Sequence, residues 1–65
     1  MTKYKVVVST PEVKDKHYYD SRDQAFDMWL SWAALVLKCG AGQCYAVLYE
    51  WDGDDDRYIV RMHAT

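Results

Sequence analysis

The sequence lacks a basic leader followed by an apolar stretch, and its longest apolar run, Trp32 to Leu37, is far too short to cross a bilayer. Those two absences argue against a membrane protein, so a cytoplasmic one is expected. A surplus of positive charge is also missing. Lysine and arginine number 8 against 10 aspartates and glutamates, a net charge of -2, so no whole-protein field holds a nucleic-acid backbone and direct DNA or RNA binding is not expected. There is no glycine-rich phosphate loop: Gly40-Ala41-Gly42 follows a helix-like segment, whereas phosphate motifs precede one. Cysteine is scarce. Cys39 and Cys44 are spaced to close a small disulfide loop in an oxidising compartment, but without a secretion signal free thiols are expected. Zinc needs two further ligands, and neither His17 nor His63 stands in a recognised pair spacing. No metal and no cofactor is expected.

What is present suits one domain spanning residues 1–65. The 65 residues are 51% hydrophobic and include three tryptophans, enough for a core, although a domain of this size buries only about 60% of its unfolded surface and has modest stability. Apart from a run of aspartates there is no linker, repeat or low-complexity segment.

Tyr4 to Ser9 alternates Tyr4, Val6 and Val8 with Lys5, Val7 and Ser9, the period of a strand. Thr10-Pro11-Glu12 interrupts it, Lys14-Asp15-Lys16 stays polar, and His17-Tyr18-Tyr19 reads as a short second strand at a sheet edge. Ser21 and Gln24 form a capping-box pattern, with Asp20 and Asp23 at the positive end of the helix that follows. From there to Lys38, Ala25, Phe26, Trp29, Ala33, Val36 and Leu37 recur at helical spacing and predict the buried face. Asp20, Asp23, Asp27, Ser31 and Lys38 lie opposite. Met28, Trp32 and Leu35 widen the apolar arc and need cover. Lys38, Gly40 and Gly42 end the helix. Gln43 to Trp51 alternates Cys44, Ala46 and Leu48 with Tyr45, Val47, Tyr49 and Trp51, and Asp52-Gly53 opens a turn. Arg57 to His63 returns as the fourth strand, with Tyr58, Val60 and Met62 on one side. The order predicts an α+β fold: two layers, a four-stranded antiparallel sheet (ββαββ) packed on one central helix.

Two features could form a site. The first is acidic: Glu50, Asp52, Asp54, Asp55 and Asp56 crowd one turn, and Asp20, Asp23 and Asp27 form a row on the helix at about 5–6 Å spacing. Such a set resembles a row of phosphates and suits the basic groove of a nucleic-acid-binding protein. Taken singly, each aspartate is better explained by a helix terminus or a solvated hairpin tip. Glu50, Asp52, Asp54 and Asp56 also resemble the start of a calcium loop, but the required glutamate, counted from Asp52, falls on His63. The second feature is the aromatic face Tyr45, Tyr49 and Trp51, with Tyr18 or Tyr19 beside it. Single-strand-binding sheets use such faces together with a basic groove that the composition does not supply. The plainer reading packs this face on the helix. If Cys44, Ala46 and Leu48 face the helix instead, the aromatics are exposed and serve as a protein interface or dimer seam. No catalytic residues are expected: His17 and His63 as bases, and Ser9, Ser21 or Cys39 as nucleophiles, stand in no enforcing context.

A very short acidic chain with one central helix, hairpin strands and an aspartate-rich loop resembles the small phage-encoded inhibitors of host machinery, and most of all anti-CRISPR proteins acting on type I-C surveillance complexes. Acidic members of that family block target DNA by occupying a basic surface of a Cas subunit. The resemblance implies contact through Asp20, Asp23, Asp27, Asp52, Asp54, Asp55 and Asp56 in the cytoplasm of a bacterial host, by a monomer or weak homodimer. The alternative is a structural or regulatory module pairing through Trp32, Leu35 or the Tyr45-Tyr49-Trp51 face.

Overall fold

Thr10 organises the first turn of the chain. Its amide donates to the Val13 carbonyl at 2.7 Å and its Oγ1 accepts the Val13 amide at 2.9 Å, with Pro11 pre-set for the bend between them. The computed structural model describes residues 2–39 and 44–64, and of Cys39 the backbone alone. Around that turn β1 (Tyr4–Ser9) pairs antiparallel with β2 (Lys14–Tyr19). The helix α1 (Arg22–Cys39) follows, then β3 (Tyr45–Asp52) and β4 (Arg57–Ala64). The sheet is wholly antiparallel in the order β2-β1-β3-β4, with the helix on one side, which is the expected two-layer α+β arrangement.

Ser21 caps α1: its Oγ accepts the Gln24 amide at 3.4 Å, and its carbonyl accepts the Ala25 amide at 3.1 Å. Ser21→Ala is expected to cost about 1 kcal/mol and lower the urea midpoint without changing the slope. An unchanged midpoint would mean that solvent caps the helix equally well.

The helix buries Ala25, Trp29, Ala33 and Val36 against Val6 and Val8 of β1 and Cys44, Ala46 and Leu48 at β3. Ala25 and Ala33 let the backbone approach the sheet, and Trp29 fills the space between them. Its indole N–H donates to the Ala46 carbonyl at 3.0 Å, so the polar atom that Trp29 carries into the core is satisfied.

Several expectations are corrected. Phe26 and Leu37 do not belong to the buried stripe; they are 38% and 67% exposed, because four strands are too narrow to cover so wide an apolar arc. Leu35 is exposed as well, whereas Met28 and Trp32 pack on the core margin. β2 starts at Lys14, not His17, since Lys14, Asp15 and Lys16 pair with Ser9, Val8 and Val7. The fourth strand does not alternate throughout. A bulge at Arg61 shifts the register, so Leu48 opposes Met62 while Tyr49 opposes Val60. Met62 thereby turns to the helix side, away from Tyr58 and Val60. Free thiols are not found at Cys44, which is disulfide-bonded. The expected helix stop at Gly40 and Gly42 and the strand residue Gln43 lie outside the described residues, as does the Cys39 side chain.

Candidate functional site

Strand register assigns every side chain to a face, because partners across an antiparallel ladder point the same way. Val6 opposes His17 and Leu48, so the helix-covered face is continued by His17 and Tyr19 on β2. Lys5 opposes Tyr18 and Tyr49, and Val7 opposes Lys16 and Val47. Ser9 opposes Lys14 and Tyr45. These residues, together with Trp51 and its partner Tyr58, and with Val60 and His63, make the second face, which no other described element covers, although Val47 at its middle is buried among its neighbours. The expectation that Tyr45, Tyr49 and Trp51 pack beneath the helix is thus overturned. The helix takes the face carrying Cys44 and Ala46 because a bulky Trp29 needs small residues opposite.

On this open face the rings are organised around one cation. Lys5 Nζ lies 4.6 Å from the centroids of both Tyr49 and Tyr58, where the ring quadrupoles attract it. Tyr58 meets Trp51 edge-on at 5.0 Å and Tyr18 at 6.4 Å. Its hydroxyl donates to the Thr2 carbonyl at 2.8 Å, so the side chain reaches across β3 toward the start of β1. Tyr18, Tyr45 and Val60 are 52%, 39% and 56% exposed. Lys14 and Lys16 share the face along the β2 edge, and His63 along the β4 edge. Among the described strand residues, no carboxylate lies on this side. Net charge therefore hides a segregation: lysines stand beside the aromatics, while the acids belong elsewhere.

The acidic set is brought together only in part. The rung Tyr19, Tyr4, Glu50, Ile59 is the last that all four strands share at one end; Asp20 lies beyond it on the β2 side, and the turn from Gly53 to Asp56 beyond two further β3–β4 rungs. Within that set, however, Glu50 is bound internally. It accepts Arg61 Nε at 2.8 Å and lies 3.8 Å from Lys3 Nζ. Asp55 pairs with Arg57 at 3.4 Å, and Asp52 Oδ1 accepts the Asp54 amide at 3.0 Å, fastening the turn. Asp56 adopts the left-handed conformation, φ 54°, which aspartate tolerates better than most residues. Asp20, Asp23, Asp27 and Asp54 are exposed, and like Asp56 they form no ion pair among the described residues. Arg22, Arg61 and Glu50 line an open groove of about 550 Å³ with Phe26 and Met62, so cations are interleaved with the acids at this end.

The residues weighed for catalysis are kept apart. His17 is on the helix side of one edge strand and His63 on the open side of the other. Ser21 is occupied as a cap. His17 Nε2 sits 3.6 Å from Asp15 Oδ2, with no hydrogen bond.

Sequence reasoning named Tyr45, Tyr49 and Trp51, placed Tyr18 or Tyr19 beside them, and missed Tyr58 and the lysines. The available signal was the pairing of two hairpins around β1, which carries Lys5 to the middle of the ring cluster. Comparison with protein-family models, curated proteins and solved structures found no match.

Proposed function

We propose that the chain is a recognition module that works by binding another macromolecule, with the uncovered sheet face as its contact surface. The observation that carries this reading is a four-stranded sheet covered on one side only by the described elements, whose other side gathers Tyr18, Tyr45, Tyr49, Trp51 and Tyr58. Tyr18 and Tyr45 are exposed and the other three rings are partly so, and an aromatic cluster open to solvent favours a contact surface. The test compares migration of the tagged chain in cell lysate by size exclusion. Wild type should travel with a larger species, and Tyr18→Ala/Tyr45→Ala should run alone while keeping the wild-type melting curve. Retention of that variant in the larger species would overturn the reading.

A second reading is favoured by the exposed acids at one end, Asp20, Asp23, Asp54 and Asp56, with Asp27 one helical turn on. In it the chain is an acidic inhibitor of a nucleic-acid-handling complex in the cytoplasm of a bacterial host, of the anti-CRISPR kind, contacting a basic surface of a Cas subunit. Affinity carried by such charges falls with salt. Replacing Asp54, Asp55 and Asp56 together by asparagine should weaken inhibition of a type I-C surveillance complex, assayed by plasmid interference, by about tenfold and leave the fold intact. Unchanged inhibition would remove this reading. Loss with this triple variant, and not with the tyrosine pair, would favour it over the first.

A further inference from the structure

We propose that the open face binds a single strand of nucleic acid, its bases stacking on the exposed rings and its phosphates meeting the lysines. This rests on the reading of that face as the contact surface and names its occupant. Three observations select the ligand. Tyr18 and Tyr45 are exposed and lie on different strands of one sheet face, which suits unpaired bases, since every base offers a planar surface that an aromatic ring can stack on. A duplex hides those surfaces in its base stack. Lys14 and Lys16 border the rings along β2, with Lys5 among them and no carboxylate on the described strand residues of the face, so a polyanion is matched in charge. A second copy of the chain is disfavoured by the same pattern. In a two-fold contact the patch meets itself, and with no carboxylate among its described strand residues it offers its own lysines no ion pair.

The acids do not oppose this. Glu50, Asp52 and Asp15 lie on the helix side by register, and the aspartates of the β3–β4 turn stand beyond the sheet end. The net charge of -2 lowers the long-range attraction, while the described strand residues of the face carry lysines and no carboxylate. The predicted affinity is therefore modest and salt-sensitive.

The experiment measures fluorescence anisotropy of labelled oligo(dT) and oligo(U), each of about 12 nucleotides, and of a duplex of equal length, titrated with the full chain. Binding is expected for the single strands below about 10⁻⁴ M protein, the weak limit of non-specific nucleic-acid association, and not for the duplex. Tyr18→Ala/Tyr45→Ala should weaken it by about tenfold or more. Lys14→Gln/Lys16→Gln should lower the slope of log affinity against log salt by about one to two. Circular dichroism melting of each variant shows that folding is kept. Absence of single-strand binding, equal binding of the duplex, or indifference to the tyrosine pair would each overturn the proposal. The two readings fail separately. If the tyrosine pair still releases the chain from its larger species in lysate while no oligonucleotide binds, the contact surface stands and its occupant is a protein; if nuclease treatment releases the wild type, the occupant is nucleic acid.

Discussion

Trp29→Ala is expected to remove most of the stability of the domain, leaving a broad or absent urea transition by far-ultraviolet circular dichroism. Trp29 is 8% exposed, lies between Ala25 and Ala33 on the helix, and covers Ala46 on β3. Truncating a buried aromatic to alanine costs about 3–5 kcal/mol. A domain of this length has roughly 0.05–0.15 kcal/mol per residue in total, so the two quantities are comparable. Little can relax into the gap, since the neighbouring positions are small and the strand below is held on both sides by β1 and β4. Trp29→Phe separates packing from hydrogen bonding. It keeps most of the apolar contact and deletes the 3.0 Å bond to the Ala46 carbonyl. The added cost should be about 1 kcal/mol. A Trp29→Ala variant melting within about 5 °C of wild type, the shift expected for a loss of only 1 kcal/mol, would show that the helix is held by its other contacts.

The same residue explains which parts of the molecule could be read beforehand. Periodicity marks Ala25, Trp29, Ala33 and Val36 as one stripe and divides β3 into two faces. It does not say which face the stripe meets. The deciding fact is complementary size: a tryptophan flanked by alanines fits the face that carries Cys44 and Ala46, and would collide with one carrying Tyr45 and Tyr49. Tyrosine hydroxyls, which favour a wet edge, point to the same answer. The first half of β2 has no strand signature in the sequence, because Lys14, Asp15 and Lys16 are polar on both sides of the strand; pairing with Val7 and Val8, not composition, holds them extended. The bulge at Arg61 left no mark in the pattern, since Val60 and Met62 are both apolar and read as one face, although the extra residue puts them on opposite ones. The acidic cluster was the most visible feature of the chain, yet Glu50, Asp52 and Asp55 have local partners that are unseen until Arg61, Asp54 and Arg57 are placed beside them. The lysines were invisible for the opposite reason. Counting charge over the whole chain averages Lys5, Lys14 and Lys16 against acids that face elsewhere.

Tyr58→Ala is the second large effect expected, and it joins fold to site. Tyr58 stands on β4 but reaches over β3, where it meets Trp51, Lys5 and Tyr18 and donates its hydroxyl proton to the Thr2 carbonyl. It thus ties the last strand to the chain segment before β1, a contact between residues 56 positions apart. The ring is half-buried, so truncation should cost about 2–3 kcal/mol, below the figure for full burial. For a domain of this size that lowers the melting temperature by roughly 10 °C or more. Tyr58→Phe retains the ring contacts and loses the bond to Thr2, and should cost about 1 kcal/mol. The two variants also differ locally. The Trp51 amide donates to the Lys3 carbonyl at 2.7 Å, and release of the first residues should speed its hydrogen exchange in both, more in Tyr58→Ala. In that variant Lys5 keeps only the Tyr49 ring beneath it, so its ammonium is freed toward solvent and the face loses the order that Lys5 and Tyr58 impose on it. Equal exchange of the Trp51 amide in wild type and Tyr58→Ala would show that β1 holds its own end without help, and that Tyr58 contributes to the open face alone.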